Sequence, residues 1–194
     1  MMKYIIIYTV VVNTKEKISK MRKIIILFFS IVSLANANAQ ISKAELIANG
    51  LTCSMCSKAT YNQLKTIPFL DSIYTDIEHT KFILYFNSET TFDLKLIKTK
   101  VEDAGFSVGS LVLFMKFDNV SVENDFHYNV GDITYHFMDT KKQTLNNVNQ
   151  VKVIDKGFVS DKEYKKYLKL VSKYPCYKAG KMENIKVLYH LKVI

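Results

Sequence analysis

Cys53 and Cys56 stand on either side of Ser54-Met55, in the stretch Gly50-Leu51-Thr52-Cys53-Ser54-Met55-Cys56. A strand-like run (44–48) leads into this stretch and a helix-like run (57–66) leads out of it. Both thiols are therefore expected in a loop entering a helix N-terminus, where exposed N–H groups and the helix dipole favour negative charge. Thiolate is the form that ligates soft metals or attacks disulfides. A Cys-x-x-Cys pair so placed is a metal site or a redox site, and the spacing alone does not choose between them. Soft sulfur donors select Cu(I) or Zn(II) over hard cations. A structural zinc takes four ligands and this loop supplies two, which favours linear Cu(I) and leaves room for a partner's cysteines to attack. Thioredoxin-like redox loops carry an aromatic before the first cysteine and often a proline between the two. Here Thr52 precedes and Ser54-Met55 intervenes. Met55 is a conceivable third soft ligand, but a solvent-side place or packing on the loop is the better reading.

The surrounding elements must hold this loop. Leu46 and Ala48 alternate with Glu45, Ile47 and Asn49 along the first strand. The helix carries Thr60, Leu64 and Ile67 inward, with Lys58, Asn62 and Lys65 outward. A second strand (70–77) places Ile73, Thr75 and Ile77 inward, and Glu78-His79-Thr80-Lys81 turns into a third (82–86). A second helix carries Leu94, Ile97, Val101 and Ala104, with Gly105 as its left-handed stop. A fourth strand covers 106–114. The order βαββαβ predicts an α+β, ferredoxin-like domain: a four-stranded antiparallel sheet with both helices on one face.

The cysteine loop, the helix closed by Leu64, Ile67 and Pro68, and the ending Val101-Glu102-Asp103-Ala104-Gly105-Phe106 together resemble the heavy-metal-associated domain family. The family's signature is Gly-Met-Thr-Cys-x-x-Cys, and the resemblance covers 41–114. Copper chaperones, modules of copper-transporting ATPases and a periplasmic mercury-binding protein belong to that family. The resemblance implies Cys53 and Cys56 as metal ligands. It further implies Cu(I) as the favoured ion, with Zn(II) or Hg(II) as others the pair could hold. Transfer would go through shared thiolates to a metal-transporting protein with its own Cys-x-x-Cys, with no enzymatic chemistry. Leu51 stands where the family usually has a core-packing Met, a volume-conserving exchange. Phe69 stands where Gly is common. Phe106 matches an aromatic that shields the metal loop. The rival reading is a thiol–disulfide redox protein with Cys53 as nucleophile and Cys56 as resolving thiol. A third is an interaction module whose cysteine pair only staples the loop.

Met21-Arg22-Lys23, an apolar run (24–34) and Ala37-Asn38-Ala39 read as a secretory signal peptide with cleavage after Ala39. Residues 1–20 are best explained by translation starting at Met21, so 1–39 is a targeting segment. The apolar run is short of the roughly 20 residues of a spanning helix, and the mature chain is not expected to be membrane-embedded. Six cations against Glu16 give residues 1–39 a net charge of +5, so about +4 of the chain's +9 remains on the rest, which contains no Arg. This mild excess, with no basic helix face, does not indicate a nucleic-acid partner. Export, to the periplasm, places the cysteines in an oxidising compartment, which is in tension with a metal-thiolate site.

Residues 115–194 are expected to form a separate mainly-β domain with one helix, resembling no named family. Strands are read at 116–122, 126–130, 133–138, 148–154 and 185–194, with a Gly131-Asp132 hairpin and a polar loop over 139–147. Ser160-Asp161-Lys162-Glu163 is a capping box, with Val159 and Tyr164 placed as a hydrophobic staple. The helix it opens carries Tyr164, Tyr167, Leu168 and Val171 on one face and is bounded by Pro175. Cys176 is left over in a turn-like loop, with His127, His136 and His190 on strands of the same half. A Cys/His metal site is conceivable there. Scattered histidines without paired spacing are more often packing or surface. Met115, Met138 and Met182 are too dispersed for a methionine-rich copper motif and are read as core, and the tyrosines between 164 and 189 as packing.

Overall fold

The computed structural model describes residues 41–87, 92–169, 175–180 and 185–194. The expected targeting segment, Val171, Tyr174 and Met182 lie outside these residues. The described residues form one eight-stranded sheet in the order β2-β3-β1-β4-β7-β8-β6-β5. The strands are β1 (Ile41–Asn49), β2 (Leu70–Asp76), β3 (Lys81–Phe86), β4 (Ser107–Val122), β5 (Phe126–Val130), β6 (Ile133–Phe137), β7 (Gln143–Val153) and β8 (Val187–Val193). The helices are α1 (Ser54–Leu64), α2 (Leu94–Asp103), α3 (Asp161–Leu168) and α4 (Pro175–Ala179). Neighbouring strands are antiparallel except β6 and β8, which are parallel.

The βαββαβ order expected for residues 41–114 is present, and β2-β3-β1-β4 forms its antiparallel sheet. Ala44, Leu46 and Ala48 from β1, Phe82 and Leu84 from β3, Thr60 and Leu64 from α1, and Leu94, Ile97 and Val101 from α2 are all buried. Their spacing is why these segments adopt periods of 2 and 3.6. Gly105 ends α2 at a φ of +88°, the left-handed cap expected of it. Ile77 departs from the expectation. It lies past the end of β2 and is 77% exposed.

The expected division at 114/115 falls inside β4. Val108, Leu111, Leu113, Met115 and Phe117 continue one buried face straight across it. Leu113 pairs with Ala44 of β1 on one side and Val151 of β7 on the other. A single core therefore runs from Leu46 and Leu84 through Leu113 and Val151 to Phe137, Tyr189 and Leu191. The expected polar loop at 139–147 is also corrected. Residues Gln143–Asn147 belong to β7, where Leu145 pairs with Val120 and is buried. Their weak strand propensity is overridden by the template of β4 and by that one anchored side chain. The Tyr189 hydroxyl ties β8 to the start of α2. It accepts from Leu94 N (2.9 Å) and donates to Asp93 Oδ1 (2.8 Å) at the start of α2.

A smaller core of Met138, Ile154, Val159, Tyr167 and Tyr177 lies beneath α3 and α4. Ser160 Oγ caps α3 by accepting from Glu163 N (3.2 Å), as the capping box requires. The reciprocal half is absent, because the Glu163 carboxylate is turned to Lys152 Nζ at 2.8 and 2.9 Å. Pro175, expected only to bound α3, opens α4. Cys176 is therefore on a short helix and not in a turn.

Candidate metal centre

α1 begins three residues before the expected start, so Cys56 lies in its first turn and not in the loop. The cause is Cys53 itself. Its backbone is extended (φ −150°, ψ 162°), and its Sγ accepts from Cys56 N at 3.4 Å, doing the work of an N-cap serine. Cys53 O also accepts from Ser57 N (3.2 Å). Cys53 Sγ and Cys56 Sγ are 2.8 Å apart, and neither is in a disulfide. The hydrogen bond from the Cys56 side chain, then that from its backbone N–H, holds the Cys53 thiol below its ordinary value, against a small opposing effect of burial. Thiolate is thus favoured at Cys53, chiefly by the Cys56 side chain and secondly by one N–H of the helix N-terminus.

The loop is shaped from behind. Gly50 turns the chain at a φ of +87°, and a Cβ there would lie 3.5 Å from the Phe106 ring. Phe106 and Leu51 both pack against the main core. Leu51 thus packs into the core as expected, and Phe106 stands next to the cysteine loop. Met55 is 73% exposed. In front of Cys53 lies an open cleft of about 550 Å³, bordered by Leu51, Lys58, Tyr61, Ile77 and Phe82. A second molecule can therefore approach Cys53 without unfolding anything.

The leftover residues of the second half are brought together. His127 and His136 are direct cross-strand partners on β5 and β6, and His136 pairs in register with His190 on β8. The His127 and His136 rings stack with centroids 4.1 Å apart and planes 7° from parallel. Cys176 Sγ lies 3.4 Å from His136 Nδ1, and ligand atoms of His127, His136 and Cys176 all lie within 4.8 Å of one another. His190 stands beside this group, its ring 5.2 Å from that of His136. Burial, then the nearby His127 and His190, pushes His136 down to about 4 despite the Asp125 carboxylate. Burial pushes the Cys176 thiol up.

Sequence reasoning missed two carboxylates here. Asp125 Oδ1 is 2.9 Å from His136 Nε2, and Asp155 Oδ1 is 2.6 Å from His190 Nδ1. Their separations of 11 and 35 residues leave no motif to find. Only the hairpin register could have hinted that His127 faces His136.

No family model matches the chain, and no curated protein matches it in sequence. Solved structures similar to it cover 34% of the chain. They include a CopZ metallochaperone (22% identity, 98% of that chain, TM-score 0.32). Apo-CopP from Helicobacter pylori is another (26%, 97%, TM-score 0.30). The yeast copper transporter domain CCC2A, solved in apo and Cu(I)-loaded states, is a third (25%, 88%, TM-score 0.30).

Proposed function

We propose that this chain is an exported carrier of a soft metal ion, Cu(I) before Zn(II) or Hg(II), which it holds and passes on through Cys53 and Cys56. The observation that carries the reading is the convergence of two thiols at an exposed helix N-terminus, one of them capping the helix. Two sulfurs there can ligate one ion while the cleft beside Cys53 stays open to a second protein. Transfer needs no redox change. An incoming thiolate forms a bond to Cu(I), and a bond to Cys53 or Cys56 breaks. Such a partner would carry its own thiol pair, and the chain acts as carrier and not as enzyme. Among the described residues no helix is long and apolar enough to cross a membrane. Export to the periplasm rests on the signal-like residues 21–39 alone.

The test is Cu(I) presented to the full chain, reduced and anaerobic, against a competing chelator. Stoichiometric uptake that disappears in the Cys53→Ser, Cys56→Ser double variant is the expected result. Failure of the wild-type chain to compete would overturn it. Insulin reduction by the wild-type chain, abolished by Cys53→Ser, would instead support the redox reading of the same pair.

A further inference from the structure

We propose that His127, His136 and Cys176 form a second metal site, remote in sequence from Cys53 and Cys56 and suited to an ion of borderline softness such as Zn(II). Two imidazoles and one thiolate are the donors such an ion takes. A tetrahedral zinc with bonds of about 2.0–2.3 Å holds its ligand atoms about 3.3–3.8 Å apart. The present donors, within 4.8 Å of one another, close on an ion with a contraction of about 1 Å.

The three donors have different freedoms. His136 is fully buried, and its Nε2–H donates to Asp125 Oδ1 at 2.9 Å. A carboxylate only accepts, so this bond fixes the tautomer and directs the Nδ1 lone pair toward Cys176 Sγ at 3.4 Å. A carboxylate behind a ligating histidine is the usual outer support of a metal ligand. Cys176 is held on α4, one residue before Tyr177, whose hydroxyl donates to Ile154 O. His127 sits on β5, at the edge of the sheet, and is only half-buried. The lone pairs of parallel stacked rings lie in parallel planes and do not converge, so one ring must turn to share an ion. His127 is the one left able to turn.

A buried polar atom without a partner costs free energy, and native proteins leave few of them. His127 Nε2 is buried without a hydrogen-bond partner, and so is His190 Nε2 next door. A bound ion gives the first a partner. It also ties α4 to β5 and β6. A nucleophilic dyad of Cys176 and His136, oriented by Asp125, is the other chemistry this geometry suggests. It leaves His127 without a role.

The experiment uses the full chain carrying Cys53→Ser and Cys56→Ser, so its outcome is independent of the carrier site. Co(II) is titrated first and then displaced by Zn(II). One equivalent of Co(II), with tetrahedral d–d bands and a thiolate charge-transfer band, is expected. Adding Cys176→Ser removes the charge-transfer band, and His127→Ala weakens binding at least tenfold. Asp125 is a positioning residue, so Asp125→Asn keeps the band and weakens affinity roughly 10–100-fold. Folding is checked by circular dichroism. In the wild-type chain, Zn(II) should also slow alkylation of Cys176 by iodoacetamide. A folded double variant that takes up neither Co(II) nor Zn(II) would overturn the site. So would a charge-transfer band indifferent to Cys176→Ser, or Cys176 alkylation indifferent to Zn(II), the result the dyad reading expects.

Discussion

The two cysteine regions sit at opposite ends of the sequence and solve opposite problems. Cys53 and Cys56 lie at an open helix N-terminus with no charged partner within their loop, beside a cleft. His127, His136 and Cys176 are packed between strands and a short helix, with His136 held by Asp125. Few ligands and open access suit an ion that must leave. More ligands and burial suit one that stays. The two proposed sites differ in what surrounds the sulfur.

That contrast depends on the two regions belonging to one folded body, which gives the most forceful way to break it. Leu113 is fully buried where β4 faces β1 on one side and β7 on the other. Leu113→Ala should cost about 2–5 kcal/mol. Urea unfolding followed by tyrosine fluorescence and by far-UV circular dichroism should give coincident transitions in both proteins. Two separated transitions, with only one shifted by the substitution, would restore the division at 114/115.

A smaller effect sharpens the same point. Tyr189→Phe keeps the ring and removes the hydroxyl that bonds both Leu94 N and Asp93 Oδ1. Asp93 keeps Lys95 N as a donor (2.9 Å), so the orphan is the Leu94 N–H. Leaving it unpaired should cost about 1–3 kcal/mol of unfolding free energy, read as a lower urea midpoint at unchanged slope. No change would mean that the hydroxyl contributes no net coupling between β8 and α2.

The βαββαβ half was legible because each of its segments carries its own period. Leu46 and Ala48, or Leu94, Ile97 and Val101, identify a buried face without outside help. The other half was legible only where that held, as in the Gly131-Asp132 hairpin and the Ser160 cap. Residues Gln143–Asn147 form a strand because β4 is there to pair with, which no local pattern announces. The Cys53–Cys56 pair announced itself by spacing. His127, His136 and Cys176 were visible as residue types, but a strand pairing and the placement of α4 bring them together. Asp125 had no signal at all.

Smaller again is the effect of the Cys53 and Cys56 thiols on stability. The Cys53→Ser, Cys56→Ser double variant should unfold within about 0.5 kcal/mol of the wild-type chain, since Cys53 is exposed, Cys56 is only half-buried in the first turn of α1, and serine also caps helices well. A large loss in urea unfolding would mean that the pair staples the loop structurally, the reading in which no ion is needed.

The finest comparison is between the sulfurs themselves, and it is read from their reactivity in the presence of a chelator. Alkylation by iodoacetamide follows the thiolate fraction. The Cys56 side chain and backbone hold the Cys53 thiol below the ordinary value of 9.0, so its reaction should persist to lower pH than that of an unperturbed thiol. Burial holds Cys176 above 9.0, so its reaction should begin only at higher pH. Mass spectrometry across a pH series should therefore separate two midpoints, one on each side of 9.0, with Cys53 the faster at neutral pH. Cys56→Ala removes the largest cause of the shift at Cys53 and should move that midpoint upward while leaving Cys176 where it was. If the two sulfurs titrate together, their surroundings do not differ as the geometry says, and the contrast between an open carrier site and a closed one loses its chemical basis.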